Sequence, residues 1–290
     1  MRQLLILSGK GGTGKTTVAS AFIKLLNAKY YADCDVEAPN LDITSTPNTK
    51  PKSEDYYGLK IAHINYDNCV GCMKCFEKCN FDAIKNVNGK PVINEFSCEG
   101  CGLCAYICPA NAIHMEECVN GETLTYDANP RFATAKLRMG SGASGKLVSK
   151  VKENLRSGII TDDIAIIDGA PGLGCPVIAS MSGVDMSLIV TEPTLSGISD
   201  LERIIAAAAF FEVKCAVCIN KYDINLENTK KIKKYCDSLG IKVIGTIPFD
   251  EKVNSAINNR MSVVDIDCKA GEAIKSIFKD TIKIFNEKEK

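Results

Sequence analysis

The sequence predicts an α/β fold: a doubly wound, mostly parallel sheet carrying a small inserted α+β module. Three observations predict it. Short apolar runs, among them Leu4-Leu5-Ile6-Leu7 and Ile164-Ala165-Ile166-Ile167, alternate with segments of helical period, as buried parallel strands and crossover helices do. A glycine-rich turn joins the first run to the first helix. A cysteine-dense block over residues 69–108 interrupts the alternation. With 290 residues, 46% of them hydrophobic, the chain can bury one large core and a small second one.

The first strand leads into Ser8-Gly9-Lys10-Gly11-Gly12-Thr13-Gly14-Lys15-Thr16-Thr17, and a helical pattern follows from Val18. Strand, glycine-rich turn and helix is the context that makes such a turn a phosphate loop. Gly9, Gly12 and Gly14 let backbone N–H groups approach a phosphate chain, and the helix N-terminus adds positive partial charge. Lys15 is placed to reach β- and γ-phosphates, and the Thr16 hydroxyl to hold magnesium.

Next, Tyr30-Tyr31-Ala32-Asp33-Cys34-Asp35 reads as a short strand ending in acids. Residues 43–60, with Pro47, Pro51 and Gly58, read as a loop or linker. Then Cys69, Cys72, Cys75 and Cys79 follow C-x2-C-x2-C-x3-C, with Asn80 where proline is usual. Cys98, Cys101, Cys104 and Cys108 repeat the spacing 29 residues on, and Pro109 completes it. This is the two-cluster bacterial ferredoxin pattern, in which each fourth cysteine serves the other cluster. Cys69, Cys72, Cys75 and Cys108 are therefore expected to hold one [4Fe–4S] cluster. Cys98, Cys101, Cys104 and Cys79 are expected to hold the second. Four-thiolate zinc is the alternative, though its C-x2-C pairs usually lie further apart. His63 and His114 flank the block as ordinary strand or surface residues. The insert is bounded at 60–118, leaving 1–59 and 119–290 as one discontinuous domain.

Residues 119–145 read as a return strand and the loop Gly140-Ser141-Gly142-Ala143-Ser144-Gly145, which lacks the Gly-Lys-Thr ending of a phosphate loop. A helix follows over 146–156, then an apolar strand ending in Asp168-Gly169-Ala170-Pro171-Gly172. Further strands are expected at 186–191, 216–219 and 243–247, and helices at 199–211 and 226–239. The C-terminal segment places Ile274, Ile277, Phe278, Ile282 and Phe285 on one helical face. Glu272, Asp280, Glu287 and Glu289 break up its lysines, so it is expected to pack on the sheet rather than on lipid.

The loop Gly9-Lys10-Gly11-Gly12-Thr13-Gly14-Lys15-Thr16-Thr17 resembles the deviant phosphate loop of MinD-like ATPases, the group that includes the nitrogenase iron protein and Mrp-type iron–sulfur carriers. Asp33-Cys34-Asp35-Val36-Glu37-Ala38-Pro39-Asn40 resembles their switch I, residues 168–172 their switch II, and Thr191-Glu192-Pro193-Thr194-Leu195-Ser196-Gly197 a further signature. The resemblance implies that Lys10 crosses a dimer interface to the partner's nucleotide. It implies that Asp35 positions the attacking water or the magnesium shell, and that Asn40 sits near the partner. Asp168 would bind magnesium through water, and the Gly172 N–H would sense the γ-phosphate. Asn220 and Asp223 resemble the base-recognition loop, and Pro248 sits where the adenine-contacting loop would be.

Seven cysteines fall outside the ferredoxin pattern. Cys215 and Cys218, three apart on a strand, point to opposite faces and read as core, as do Cys118, Cys236 and Cys268. Cys175 has the offset from Asp168 at which the nitrogenase iron protein bridges a cluster across its dimer. That protein also uses a cysteine from an earlier loop, and residues 140–145 have none. Cys175 thus reads as a bridging ligand or as a buried or interfacial thiol coupling switch II to the insert, and Cys34 invites the same comparison.

Thirty-five basic and 35 acidic residues cancel, which gives no field for nucleic acid or an anionic membrane. No apolar run nears 18 residues and no signal peptide fits, so a cytoplasmic protein is expected. The expected cofactors are ATP or ADP, magnesium and two [4Fe–4S] clusters. The expected partners are a second copy or a related ATPase, and a redox or metallocofactor protein. Three functions stay open: ATP-gated electron transfer, assembly or delivery of an iron–sulfur or metal cofactor, and a nucleotide-switched binding module with structural or redox-sensing clusters.

Overall fold

The computed structural model describes residues 1–45 and 49–287; Pro47 and Glu289 lie outside them. In chain order the strands and helices are β1 (Arg2–Ser8), α1 (Lys15–Leu26), β2 (Tyr30–Asp33), α2 (Asp42–Ser45), β3 (Lys52–Tyr56), β4 (Lys60–Ile64), α3 (Lys74–Glu77), β5 (Ile84–Val87), β6 (Lys90–Ile93), α4 (Leu103–Tyr106), β7 (Ile113–Glu117), β8 (Gly121–Tyr126), β9 (Arg131–Leu137), α5 (Ser144–Arg156), β10 (Ile164–Pro171), α6 (Cys175–Met181), β11 (Met186–Thr191), α7 (Leu195–Phe210), β12 (Lys214–Asn220), α8 (Leu226–Ser238), β13 (Lys242–Ile247), α9 (Lys252–Asn258) and α10 (Lys269–Asn286).

Nine strands form the main sheet in the order β13-β12-β11-β1-β10-β2-β9-β8-β3. The pairings from β13 through β9 are parallel; β8 and β3 continue it antiparallel. Alternation along β1 shows the two-layer logic. Leu5 and Leu7 face one core with Leu147, Val151, Ile204 and Ile232, under α5, α7 and α8. Leu4 and Ile6 face the other with Phe22, Ile274 and Ile277, under α1 and α10. Both sides of the strand are buried, so its sequence is continuously apolar. The apolar face of α10 packs on this second core through Ile274, Ile277, Ile284 and Phe285, with Phe278 and Ile282 at its margin. Among the described residues no helix is long and apolar enough to cross a membrane.

Two expectations are corrected. Within the stretch expected to be loop, residues 52–56 form β3, the sheet's edge, hydrogen-bonded along β8. Its Lys-Ser-Glu-Asp-Tyr sequence is almost wholly exposed, so it carries no apolar alternation; charge on an edge strand also discourages further pairing. The single return strand expected in 119–145 is a hairpin of two, β8 and β9.

Between β3 and β8 the chain leaves the main sheet. β4 pairs with β7 and β5 with β6 in two separate two-stranded sheets. Ala62, Cys75, Ile84 and Ile113 form a small core of their own, with Cys79, Cys98, Cys104 and Cys108 packed around it. His63 and His114 face each other across the β4–β7 ladder. One side chain ties the root of this segment: buried Asn120 accepts from the backbone N–H of Gly58 at 2.7 Å and of Leu59 at 2.6 Å, and donates to Cys118 Sγ at 3.2 Å.

Candidate functional site

The carboxyl ends of β1, β2, β10, β11 and β12 deliver Ser8, Asp33, residues 168–171, Glu192 and Asn220 to one edge of the sheet, where open α/β sheets bind ligands. Between β1 and α1 the chain turns through left-handed Gly12 (φ 79°) and Gly14 (φ 90°). A side chain at Gly14 would run into the Asn220 amide, and one at Gly9 into Asp200 of α7. No side chain caps the N-terminus of α1, so its leading N–H groups face the cleft with their dipole available to an anion.

That cleft has a volume of about 460 Å³. Lys10, Gly11, Gly12, Gly14, Lys15, Thr16, Thr17, Asp35, Asn40, Asn220 and Pro248 line it, and Phe249, Val253, Ile257 and Met261 add an apolar end. Of the residues singled out from the sequence, Gly9, Thr13, Asp168, Gly172 and Asp223 are not in its wall. Asn220 Nδ2 donates to the Thr13 carbonyl at 2.7 Å, which pins the phosphate loop. Asp223 Oδ1 accepts from the Phe249 N–H at 2.8 Å, which ties the two loops beside the cleft. Gly172, at φ 91°, donates its N–H to the Ser8 carbonyl at 3.2 Å.

At the base of the loop, Lys15 and Asp168 form a buried ion pair with Nζ and Oδ1 2.6 Å apart. Burial alone would lower the Lys15 pKa; the Asp168 charge outweighs it, with Asp33 and Asp35 adding, and the ammonium is held above its usual value. Burial raises the Asp35 carboxyl. Asp33 is fully buried and its carboxyl is pushed up to about 7, by burial first and the Asp168 charge second. Its oxygens nevertheless accept from the N–H groups of Asp35, Asn40 and Leu41 at 2.9–3.0 Å, which fixes the loop that carries Asp35. The second oxygen of Asp168 is buried without a hydrogen-bond partner. With Thr16 and Asp35 on the cleft, that free carboxylate oxygen suits a magnesium water shell, which takes oxygen donors.

The cysteine block makes two further cavities. Cys69, Cys72, Cys75 and Cys108 line one; Cys79, Cys98, Cys101 and Cys104 line the other. Each cavity thus draws three cysteines from one motif and the fourth from its repeat. Among the described residues, no three His, Cys, Asp or Glu side chains converge on a single-ion site. Four cysteine thiols on each cavity are the donor set that cluster ligation requires.

The second of these cavities abuts the nucleotide-binding half. A side chain at Gly142 would strike the Glu99 carboxylate, and one at Gly145 would come within 3.0 Å of Cys175 Cβ. Cys175 is exposed, which corrects the buried alternative and not the interfacial or bridging one; it starts α6 and packs against Gly145. Cys34, Cys218 and Cys236 are buried, and burial pushes their thiols up to about 12, 12 and 11. Cys215 and Cys218 face opposite cores.

Three residues here had no assigned role in the sequence: Asp33, Glu192 and Lys221. Asp33 could have been found as the first acid at the strand end. Glu192 sits inside the 191–197 signature and Lys221 between Asn220 and Asp223, but their pairing across the site depends on the strand order.

The profile of the CobQ/CobB/MinD/ParA nucleotide-binding domain matches residues 4–263. A Methanocaldococcus jannaschii protein, MJ0578, is 32% identical over 279 residues, 95% of each chain. An iron–sulfur cluster carrier protein of the same organism is 24% identical, covering 96% of this chain and 82% of its own. In fold, the chain is similar to the septum site-determining protein MinD of Pyrococcus horikoshii solved with Mg-ADP. The TM-score is 0.56 at 17% identity, over 98% of this chain and 97% of that one.

Proposed function

The chain belongs to the CobQ/CobB/MinD/ParA nucleotide-binding family as a MinD/ParA-like ATPase, and from that premise we propose that its ATP-driven dimer switch gates electron transfer from two [4Fe–4S] clusters to a partner protein. The observation that carries the proposal is the pair of cysteine cavities, each closed by the other motif's fourth cysteine, in an insert packed against the loop that touches Cys175. Bound there, the clusters would supply one-electron chemistry.

The chain's own residues do the rest. The loop N–H groups and Lys15 bind the phosphates, and Thr16, Asp35 and Asp168 order magnesium and water. Asn40 sits at the mouth of the cleft, and Lys10 reaches the nucleotide of a second copy or a related chain. The γ-phosphate draws Gly172 from Ser8 and Lys15 from Asp168, so residues 168–175 shift with nucleotide state. Asn220 fixes the loop, and the 247–250 loop with Pro248, tied by Asp223, holds the base.

The test is an anaerobic titration of the cluster potentials with ADP and with a non-hydrolysable ATP analogue. A coupling of roughly 1–3 kcal/mol is a shift of roughly 40–130 mV. Identical potentials with both nucleotides, together with partner reduction that ignores nucleotide, would sink the gating proposal. A second reading has one observation in its favour, the similarity to an iron–sulfur carrier. Under it, clusters pass intact to an apo-protein, which the same preparation tests by transfer to an apo-ferredoxin.

A further inference from the structure

Three oxygens of its own chain surround the Lys10 ammonium: Glu192 Oε1 at 2.5 Å, Ser196 Oγ at 3.1 Å and Thr194 Oγ1 at 3.2 Å. An ammonium has three N–H donors. In this arrangement all three are used in cis, and none is left for a phosphate on another chain. The central acceptor, Glu192, is 9% exposed and has a second cation beside it, Lys221 Nζ at 3.4 Å. Lys221 also donates to the Gly12 carbonyl at 3.3 Å, so it is anchored on the phosphate loop independently of Lys10. Burial would raise the Glu192 carboxyl; Lys10 and Lys221 outweigh it and hold it below its usual range, so the carboxylate is charged at neutral pH.

We propose that Glu192 is a positioning residue, a latch that keeps Lys10 on its own chain and passes its charge to Lys221 when Lys10 swings to the partner's nucleotide. The second cation makes the exchange feasible. A buried carboxylate stripped of its only counter-ion is strongly destabilising, but Glu192 keeps Lys221. Ser196 and Thr194, being neutral, lose only hydrogen bonds that water replaces. The latch rests on the reading of Lys10 as a residue that acts in trans, and it adds a threshold. Two chains associate only when two triphosphates together outcompete two latches.

Sedimentation with magnesium and a non-hydrolysable ATP analogue tests it. Glu192→Gln keeps the size and removes the charge. It should lower the concentration for half-dimerisation roughly five- to tenfold, and Ser196→Ala should shift it the same way by less. Lys10→Ala should stay monomeric, and adding Glu192→Gln to it should restore nothing. A merely structural Glu192 would weaken assembly when altered, not strengthen it. If Glu192→Gln assembles no better than wild type while Lys10→Ala is monomeric, the latch is wrong and the in-trans role stands. If Lys10→Ala dimerises normally, the in-trans role fails and takes the latch with it. Should Glu192→Gln lose its native circular dichroism, Ser196→Ala at its exposed hydroxyl decides, and no shift there overturns the latch.

Discussion

Replacing Asp168 with Asn should change stability and nucleotide affinity in opposite directions. The Lys15 side chain is 6% exposed and Asp168 0%, with 2.6 Å between them. Removing one member of such a pair costs about 3–5 kcal/mol, because the other charge stays buried and uncompensated. Here the loss falls at the low end. Asp33 and Asp35 also face Lys15, and Asp33 ionises more readily once the neighbouring Asp168 charge is gone. About 3 kcal/mol in a domain of this size is a fall in Tm of roughly 6–12 °C. A nucleotide reverses the sign, because its β-phosphate gives Lys15 the negative charge it lacks. In EDTA, with magnesium ligation out of the assay, ADP should bind Asp168→Asn roughly tenfold to a hundredfold more tightly than wild type. With magnesium present the advantage should shrink, since the unpartnered second oxygen of Asp168 is lost as well. Calorimetric titration with ADP in both buffers, alongside thermal unfolding, reads every term. Weaker ADP binding in EDTA, or a variant as stable as wild type without nucleotide, would refute the exchange of Lys15 from carboxylate to phosphate.

Two other outcomes are expected. Lys152 is buried and donates to the carbonyls of Ser180 at 2.7 Å and Ser182 at 2.6 Å at the end of α6, and burial lowers its ammonium to about 8, opposed by Cys34 and helped by Arg156. Between that value and the ordinary 10.5 the unfolded chain binds more protons, so Lys152 should add up to about 3 kcal/mol of stability as pH rises from 8 to 10.5. Lys152→Met should flatten that rise in denaturant midpoints, and parallel curves would refute it. Anaerobic wild type should carry close to eight irons per chain. Cys108→Ser should damage the cluster of Cys69, Cys72 and Cys75 and spare that of its sequence neighbours Cys98, Cys101 and Cys104. Spectra showing the reverse, or zinc in place of iron, would overturn the crossed assignment.

Much of this was legible in the sequence, because buried parallel strands write themselves as apolar runs. Ile164–Ile167 and Met186–Thr191 could be placed to within a few residues, and Gly12 and Gly14 mark their turn because only glycine takes those angles cheaply. The edge strand β3 was not legible, since its side chains face water on both sides and its place depends on the β8 ladder. The Lys10–Glu192–Lys221 network was hidden for another reason. Its members end or follow three different strands, and only the neighbour order β12-β11-β1 brings them together. Likewise the Asn220 motif names a base-reading loop, but the bond from its amide to the Thr13 carbonyl follows from how the end of β12 sits beside the phosphate loop. A motif names the loop; it does not say which neighbour the side chain prefers.

The two cysteine cavities are not equivalent with respect to the nucleotide cleft. Cys98, which lines one of them, also lines the crevice where residues 138–142 meet the insert. Among the described residues, none of Cys69, Cys72, Cys75 and Cys108 borders that crevice. From it two close approaches lead towards the nucleotide cleft. Glu99 sits on Gly142, α5 begins two residues later, Gly145 abuts Cys175, and Pro171, four residues before Cys175, is in the cleft wall. Contacts this close do not compress, so a shift of 171–175 has to move α5 and its leading loop or break the seam. Asn120 meanwhile holds the root of the insert by both entering backbone groups, which leaves the insert free to respond at the Glu99 side and not at its stem. Under the gating proposal, nucleotide state would therefore arrive at the cavity of Cys79, Cys98, Cys101 and Cys104 first. Under that proposal the cavity of the other four cysteines lies one cluster further along; exposure does not separate the two, since each has one exposed cysteine, Cys72 and Cys101.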